Sequence, residues 1–324
     1  MELIKDADID PAPLAGKRVA IIGYGNQGRA QALNLHDSGV DVVVGLRGGS
    51  GSTREAEASG LATALLEDAV GSADVVMLLA PDEIHAALYE EIATDLREGA
   101  ALGFSHGLSI RFGYVAPRAD LDVFLLAPKG PGTALRSLYQ AGKGMIALWA
   151  VHQDASGKAE PLCHAYGQAI GCGRAGLIHS SFAEEAEADL FNEQAVVWGG
   201  VPALLQAGFE TLVEAGISPE VAYMECVGEL SLIAALIEER GIAGMREAIS
   251  NTAELGAVLG GPKIVDKALK ARMAKILAEV RAGKFAKALA KEEDAGYPLL
   301  DKARAEARAS DLEATRRRLG GEEA

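Results

Sequence analysis

Aromatic residues make up only 5% of this 324-residue chain, cysteine occurs three times, and 31 basic side chains face 46 acidic ones. Each scarcity removes a class of protein. Cys163, Cys172 and Cys226 show no CxxC spacing and form an odd set, which excludes a disulfide framework and a thiolate metal site and fits a reducing compartment. A formal charge of −15 repels phosphate backbones and anionic lipid, so no nucleic-acid or membrane partner is expected. Residues 1–14 are acidic and proline-containing, without the basic-then-apolar order of a secretory leader, and no run approaches the ~20 apolar residues of a membrane span. A cytoplasmic location is expected.

What remains is ordinary globular composition, 49% hydrophobic and 24% charged, in a chain long enough for two domains at about 150 residues each. Short β-rich apolar runs at 18–22, 41–45, 74–79, 100–104, 122–126 and 145–149 alternate with helical stretches. Near-continuous apolar strands separated by helices imply a doubly wound α/β domain, a parallel sheet covered on both faces. After Ser180 the β-branched runs stop, and Ala, Leu and Glu recur at helical spacing over 183–207 and 219–239. The expected division is therefore a Rossmann-type dinucleotide-binding domain at 1–180 and an all-helical domain at 181–324, with 171–176 as the joint.

Gly23-Tyr24-Gly25-Asn26-Gln27-Gly28 stands directly after the first strand and opens a helix. In that setting the glycines permit a tight turn and close approach of a pyrophosphate, whose charge sits on the helix N-terminus. Where NAD-binding versions place an acidic residue at the end of the second strand, this chain has Arg47, followed by a flexible loop with Ser50 and Ser52. A guanidinium and two hydroxyls suit a 2′-phosphate, so NADP(H) is the expected cofactor.

The helical half presents Asp189 with Glu193 and Glu225 with Glu229, two i,i+4 pairs whose members share a helix face. All-oxygen donors select hard cations, Mg²⁺ first and Mn²⁺ next, and two ions are expected. The competing reading of these pairs is an ordinary solvated acidic helix face, since acidic i,i+4 pairs are common there and Glu184, Glu185 and Glu187 lie nearby. His106 and Lys129 each follow a parallel strand at its carboxyl end, where open α/β sheets bind ligands, which makes them candidate active-site groups. His36, His85, His152, His164 and His179 receive no catalytic assignment from spacing.

With these residues assembled, the chain resembles the ketol-acid reductoisomerase family, in its short bacterial class I form, across nearly its whole length. The resemblance is carried by Ala20-Ile-Ile-Gly-Tyr-Gly-Asn-Gln-Gly28, Leu126-Ala-Pro-Lys-Gly-Pro-Gly132, Asp189-Leu-Phe-Asn-Glu-Gln194, Gly208-Phe-Glu-Thr-Leu-Val-Glu-Ala-Gly216 and Ser250-Asn-Thr-Ala-Glu254. It implies alkyl migration in 2-acetolactate or 2-aceto-2-hydroxybutyrate and then NADPH reduction of the new ketone, in valine and isoleucine biosynthesis. It further implies that Asp189 bridges two Mg²⁺ ions with Glu193 on the first and Glu225 and Glu229 on the second. Glu229 would transfer a proton at the carbonyl oxygen, His106 and Lys129 would line the site, Ser250 would hold the substrate carboxylate, and Gly132 would join the cofactor-binding residues. The family's helical domain is knotted or intertwined between two chains, which implies a homodimer with shared active sites.

The chain departs from the family pattern at four places. Gly228 replaces the histidine of Glu-Cys-x-His-Glu, Leu108 and Ser109 replace the phenylalanine and asparagine of His-Gly-Phe-Asn-Ile, Asn192 replaces a glycine, and Gly51 stands where a lysine is common. Two other readings compete: a metal-independent dehydrogenase of the β-hydroxyacid or imine-reducing kind, which relies on a helical-domain lysine, and a diverged paralogue that binds nucleotide without turnover.

Overall fold

The apolar runs become strands because both of their faces are covered. In the computed structural model, which describes residues 3–321, the strands are β1 (Leu3–Ile4), β2 (Arg18–Ile22), β3 (Asp41–Leu46), β4 (Ala62–Leu65), β5 (Val75–Leu78), β6 (Ala101–Phe104), β7 (Asp122–Pro128), β8 (Ala147–Gln153) and β9 (Leu177–His179). They form one sheet in the order β1-β9-β8-β7-β6-β5-β2-β3-β4. Along β2, Val19 and Ile21 face one core with Leu35 and Tyr166, while Ala20 and Ile22 face another with Leu88, Ile92 and Phe104. Each fully buried large aliphatic side chain contributes about 1.5–3 kcal/mol, so a strand apolar on both faces is held from both sides.

The sheet is parallel from β4 through β7. It is not parallel throughout. β8 runs antiparallel to β7 and β1 antiparallel to β9, so the expected all-parallel sheet is corrected at one edge. Local apolarity marks a strand but not its direction, and β8 also extends to Gln153, beyond the run at 145–149. Just past its end the chain is tied back to the start of β7: the buried Asp122 carboxylate accepts from the Ser156 amide at 2.9 Å and from its hydroxyl at 2.6 Å.

The chain forms two compact units, Met1–Ala188 and Asp189–Ala324. The division falls inside the helix Phe182–Ala195, whose first turns place Phe182 in the sheet core and bury Glu185. In the second unit the expected helices are interrupted. Residues 196–199 form turns, Met224–Gly228 is a π-helical segment, and Gly241, at φ 68°, breaks Leu230–Ala248. Ser250, Asp266 and Ser310 cap the helices that follow them by accepting the amide three residues on. Among its described residues only Leu190, Phe209, Ala222, Val280, Gly283, Ala286 and Thr315 are buried. The helical run Phe182–Glu214 is long and apolar enough to cross a membrane by length and composition, contrary to the expectation that no such run exists. Glycines and turns at 196–200 hide it from a simple count of apolar residues.

Candidate active site

The dinucleotide turn joins β2 to the helix Asn26–Asp37, and its three glycines have three reasons. Gly23 sits at φ +100°, and a Cβ there would lie 2.7 Å from the Ala80 amide. Gly28 packs on the Gly23 carbonyl, where a Cβ would collide with that oxygen. Gly25 faces open space, with nothing within 4 Å, which is the approach a pyrophosphate needs. Tyr24 is buried, and its hydroxyl lacks a hydrogen-bond partner. The Asn26 side-chain oxygen accepts from the Thr133 amide at 3.0 Å, Gln27 donates to the Gly130 carbonyl at 2.8 Å, and Gly132 lies against the Asn26 carbonyl. The loop after β7 is thereby stitched to the turn.

Arg47 follows β3 and is exposed, with its guanidinium 3.5 Å from Glu91, itself half exposed. Ser50 donates its amide to the Arg47 carbonyl, and its hydroxyl accepts from the Ser52 amide at 3.3 Å. The loop is thus a turn shaped around Arg47, with both serines half-buried at its far side.

The structure brings His106 and Lys129 together through a residue the sequence did not single out. Glu185, with a side chain only 1% exposed, accepts from the Lys129 ammonium at 3.0 Å and from the Gly107 amide at 2.7 Å. His106 Nδ1 lies 3.8 Å from the same carboxylate and accepts from the Leu108 amide at 3.0 Å, which leaves Nε2 as the protonated nitrogen of the neutral ring. Beside it Arg111 holds Glu187 with two bonds near 3 Å. A buried carboxylate needs such compensation, because desolvating a charge without partners costs several kcal/mol, roughly. Glu185, one of the neighbours that spoke for a solvated acidic face, is thus buried, and its only sequence signal is the i,i+4 spacing to Asp189.

Asp189 and Glu193 continue that helix at the next two i,i+4 positions and are half-buried. Glu225 lies within the π-helical segment and Glu229 at its end, both exposed. Inserted turns of this kind recur at functional sites, and Gly228 occupies the segment without strain, a Cβ there meeting only the flexible Met224 side chain. Among the described residues of one chain, no three His, Cys, Asp or Glu side chains gather to hold a metal. Ser250 is exposed and caps Asn251–Ile264, accepting from the Ala253 amide at 3.2 Å.

Two family models together match most of the chain: the NADPH-binding domain of acetohydroxy acid isomeroreductase over residues 13–176, and the C-terminal domain of ketol-acid reductoisomerase over residues 182–322. Among solved structures, an NADH-preferring ketol-acid reductoisomerase from an uncultured archean is 40% identical, with a TM-score of 0.96 and 100% of both chains covered. A semialdehyde dehydrogenase NAD-binding protein from Cupriavidus necator shares the fold at 20% identity, TM-score 0.61, covering 82% of this chain and 99% of that one. So does a 1-pyrroline-5-carboxylate reductase from Streptococcus pyogenes, at 15% identity and TM-score 0.55, covering 82% and 98%.

Proposed function

The chain belongs to the ketol-acid reductoisomerase family, and we propose that it performs that reaction as an NADPH- and Mg²⁺-dependent homodimer. Its activity is conversion of 2-acetolactate or 2-aceto-2-hydroxybutyrate to the 2,3-dihydroxy acid by alkyl migration and reduction, within branched-chain amino acid biosynthesis. The observation that most supports the site is the convergence of Lys129, His106 and the Gly107 amide on buried Glu185, one turn before Asp189.

When bound, two Mg²⁺ would act as Lewis acids on adjacent substrate oxygens, and the reduced nicotinamide would supply the hydride. The donor set fits hard cations: Asp189 and Glu193 offer carboxylate oxygens from one chain, Glu225 and Glu229 from a second, with no sulfur or imidazole among them. Glu229 moves the proton at the carbonyl oxygen. Lys129 holds the Glu185 carboxylate in place, and His106 presents its Nε2–H at the carboxyl end of β6. Ser250 and the free amides at the start of Asn251–Ile264 hold the substrate carboxylate.

Arg47, Ser50 and Ser52 favour the 2′-phosphate of NADPH, with Glu91 competing for the guanidinium. The NADH-preferring relative makes the ratio of kcat/KM for the two cofactors the deciding measurement. Exposed Trp198, Leu232, Leu255 and Leu259 support burial against a second copy, and the composition supports a cytoplasmic location.

The test is NADPH oxidation on adding 2-acetolactate, with Mg²⁺ and with a chelator. Turnover is expected only with the metal, and Glu229→Gln is expected to lower kcat by about 10²–10⁴. Activity surviving chelation supports the metal-independent dehydrogenase instead, and unchanged turnover in the variant removes Glu229 from proton transfer.

A further inference from the structure

His85 carries no role from its position in the sequence, yet both of its ring nitrogens are engaged and its side chain is 3% exposed. Nε2 lies 2.9 Å from the Ala80 carbonyl and Nδ1 lies 2.9 Å from the Ser109 hydroxyl. A carbonyl only accepts, so Nε2 bears the hydrogen; Nδ1 then accepts, and Ser109 must donate. The tautomer is fixed by its partners. The ring is also held edge-on against Phe104, with centroids 5.9 Å apart, and Asp82 stands 3.7 Å from Nδ1.

The two anchored groups belong to different segments that follow β5 and β6 at the carboxyl edge of the sheet. Ala80 ends the segment after β5, and its backbone amide is what a Cβ on Gly23 would strike, so this residue is the wall behind the dinucleotide turn. Ser109 is fully buried in the one-turn helix Leu108–Arg111, directly after the loop that bears His106 and whose Gly107 amide donates to Glu185. Its carbonyl is fixed as well, accepting from the amides of Tyr114 at 2.8 Å and Val115 at 3.1 Å. On the other side of the same loop, Ser105 accepts from Gln31 of the dinucleotide helix at 2.9 Å.

We propose that His85 is a positioning residue for hydride transfer, clamping the wall of the dinucleotide turn to the loop of His106 through Ala80 and Ser109. Ser109 stands where the family commonly carries asparagine, so the hydroxyl donor of this clamp is a feature of this chain. The inference rests on the ketol-acid reductoisomerase reading. A displacement of about 1 Å between such loops is enough to cost about 10²-fold in rate.

The experiment follows reduction alone, using 3-hydroxy-3-methyl-2-oxobutanoate, the ketone left after methyl migration, with NADPH and its 4-deuterated form. His85→Phe keeps the ring volume and removes both bonds; Ser109→Ala removes only the hydroxyl. Each is expected to lower kcat about 10- to 100-fold and raise the primary isotope effect, while ADP, which lacks the nicotinamide end, binds as before. The double variant is expected to lose no more than the larger single loss, and Ser109→Asn, whose amide donates to Nδ1, to recover most of the rate. Wild-type turnover in either single variant overturns the inference, as does a parallel loss of ADP binding, which assigns the pair to folding. A wild-type enzyme that fails on both 2-acetolactate and this ketone counts against the family reading instead.

Discussion

In the sheet unit Val19, Ile21 and Phe124 are sealed completely, whereas in the helical unit Trp198, Leu232, Leu255 and Leu259 stand 60–65% exposed. Both regions read as hydrophobic in sequence, but a strand between two helical layers buries everything it has, while an amphipathic helix buries a stripe only against a neighbour. The difference shows which unit has apolar surface left over for the proposed second copy. One chain closes a cofactor-binding unit, and the unit bearing the four carboxylates is left with apolar faces that water does not tolerate in such quantity. We assign those faces to a second copy, and placing charge on them tests that assignment most severely. Leu232→Glu combined with Leu259→Glu is expected to halve the mass measured by light scattering and lower turnover by about 10²-fold or more, since buried unpaired charges cost several kcal/mol. NADPH affinity should stay within a few-fold, roughly, because the sheet unit folds around its own core. A variant that keeps both mass and turnover breaks the comparison.

The next largest effect lies inside the sheet unit, where closure depends on one buried charge. Lys129→Met leaves Glu185 without its ammonium partner, a change expected to cost about 3 kcal/mol and to show as a lowered Tm. Adding Glu185→Gln removes the stranded charge and should restore much of that stability. Turnover is expected to remain about 10²-fold down, because the fixed electrostatics of the site are gone in both variants. Recovery of turnover along with Tm would make the pair structural, sharpening the contrast in a different direction.

These two regions also differ in how openly the sequence declared them. The strands β2, β3 and β5 to β7 lie close to their apolar runs, because a run of Val, Ile and Leu buried on both faces has few alternatives. β4 was missed: Ala62-Thr-Ala-Leu65 is short and half-exposed at the sheet edge, with little to set it apart from a loop. The dinucleotide turn was legible residue by residue, since each glycine answers a local steric need. Glu185 was not, because its partner Lys129 is 56 residues away and its neighbours Glu184 and Glu187 make it look like surface. The π-helical segment around Glu225 was equally hidden: an acidic i,i+4 pair has the same spacing whether or not an extra residue widens the helix beneath it.

The smallest expected effect separates the units by pH. All six histidines lie at or before position 179, within the sheet unit. Burial holds His85 and His164 below the usual histidine value of 6.5, His164 with its ring 4.3 Å from Trp149 and its Nε2 unpartnered. Above pH 6.5 both rings are neutral in the folded and the unfolded chain, and their contribution to stability is fully present. As the pH falls below that value the unfolded chain takes up protons that the folded one resists, so stability falls toward the lowered folded values. The Tm of the sheet unit is therefore expected to drop by about a few degrees between pH 7 and pH 5, and His164→Gln should flatten part of that slope. The variant and the wild type share every carboxylate, so the difference between their slopes isolates the ring. Identical slopes would mean that His164 is already charged inside the fold, with Glu160 outweighing its burial.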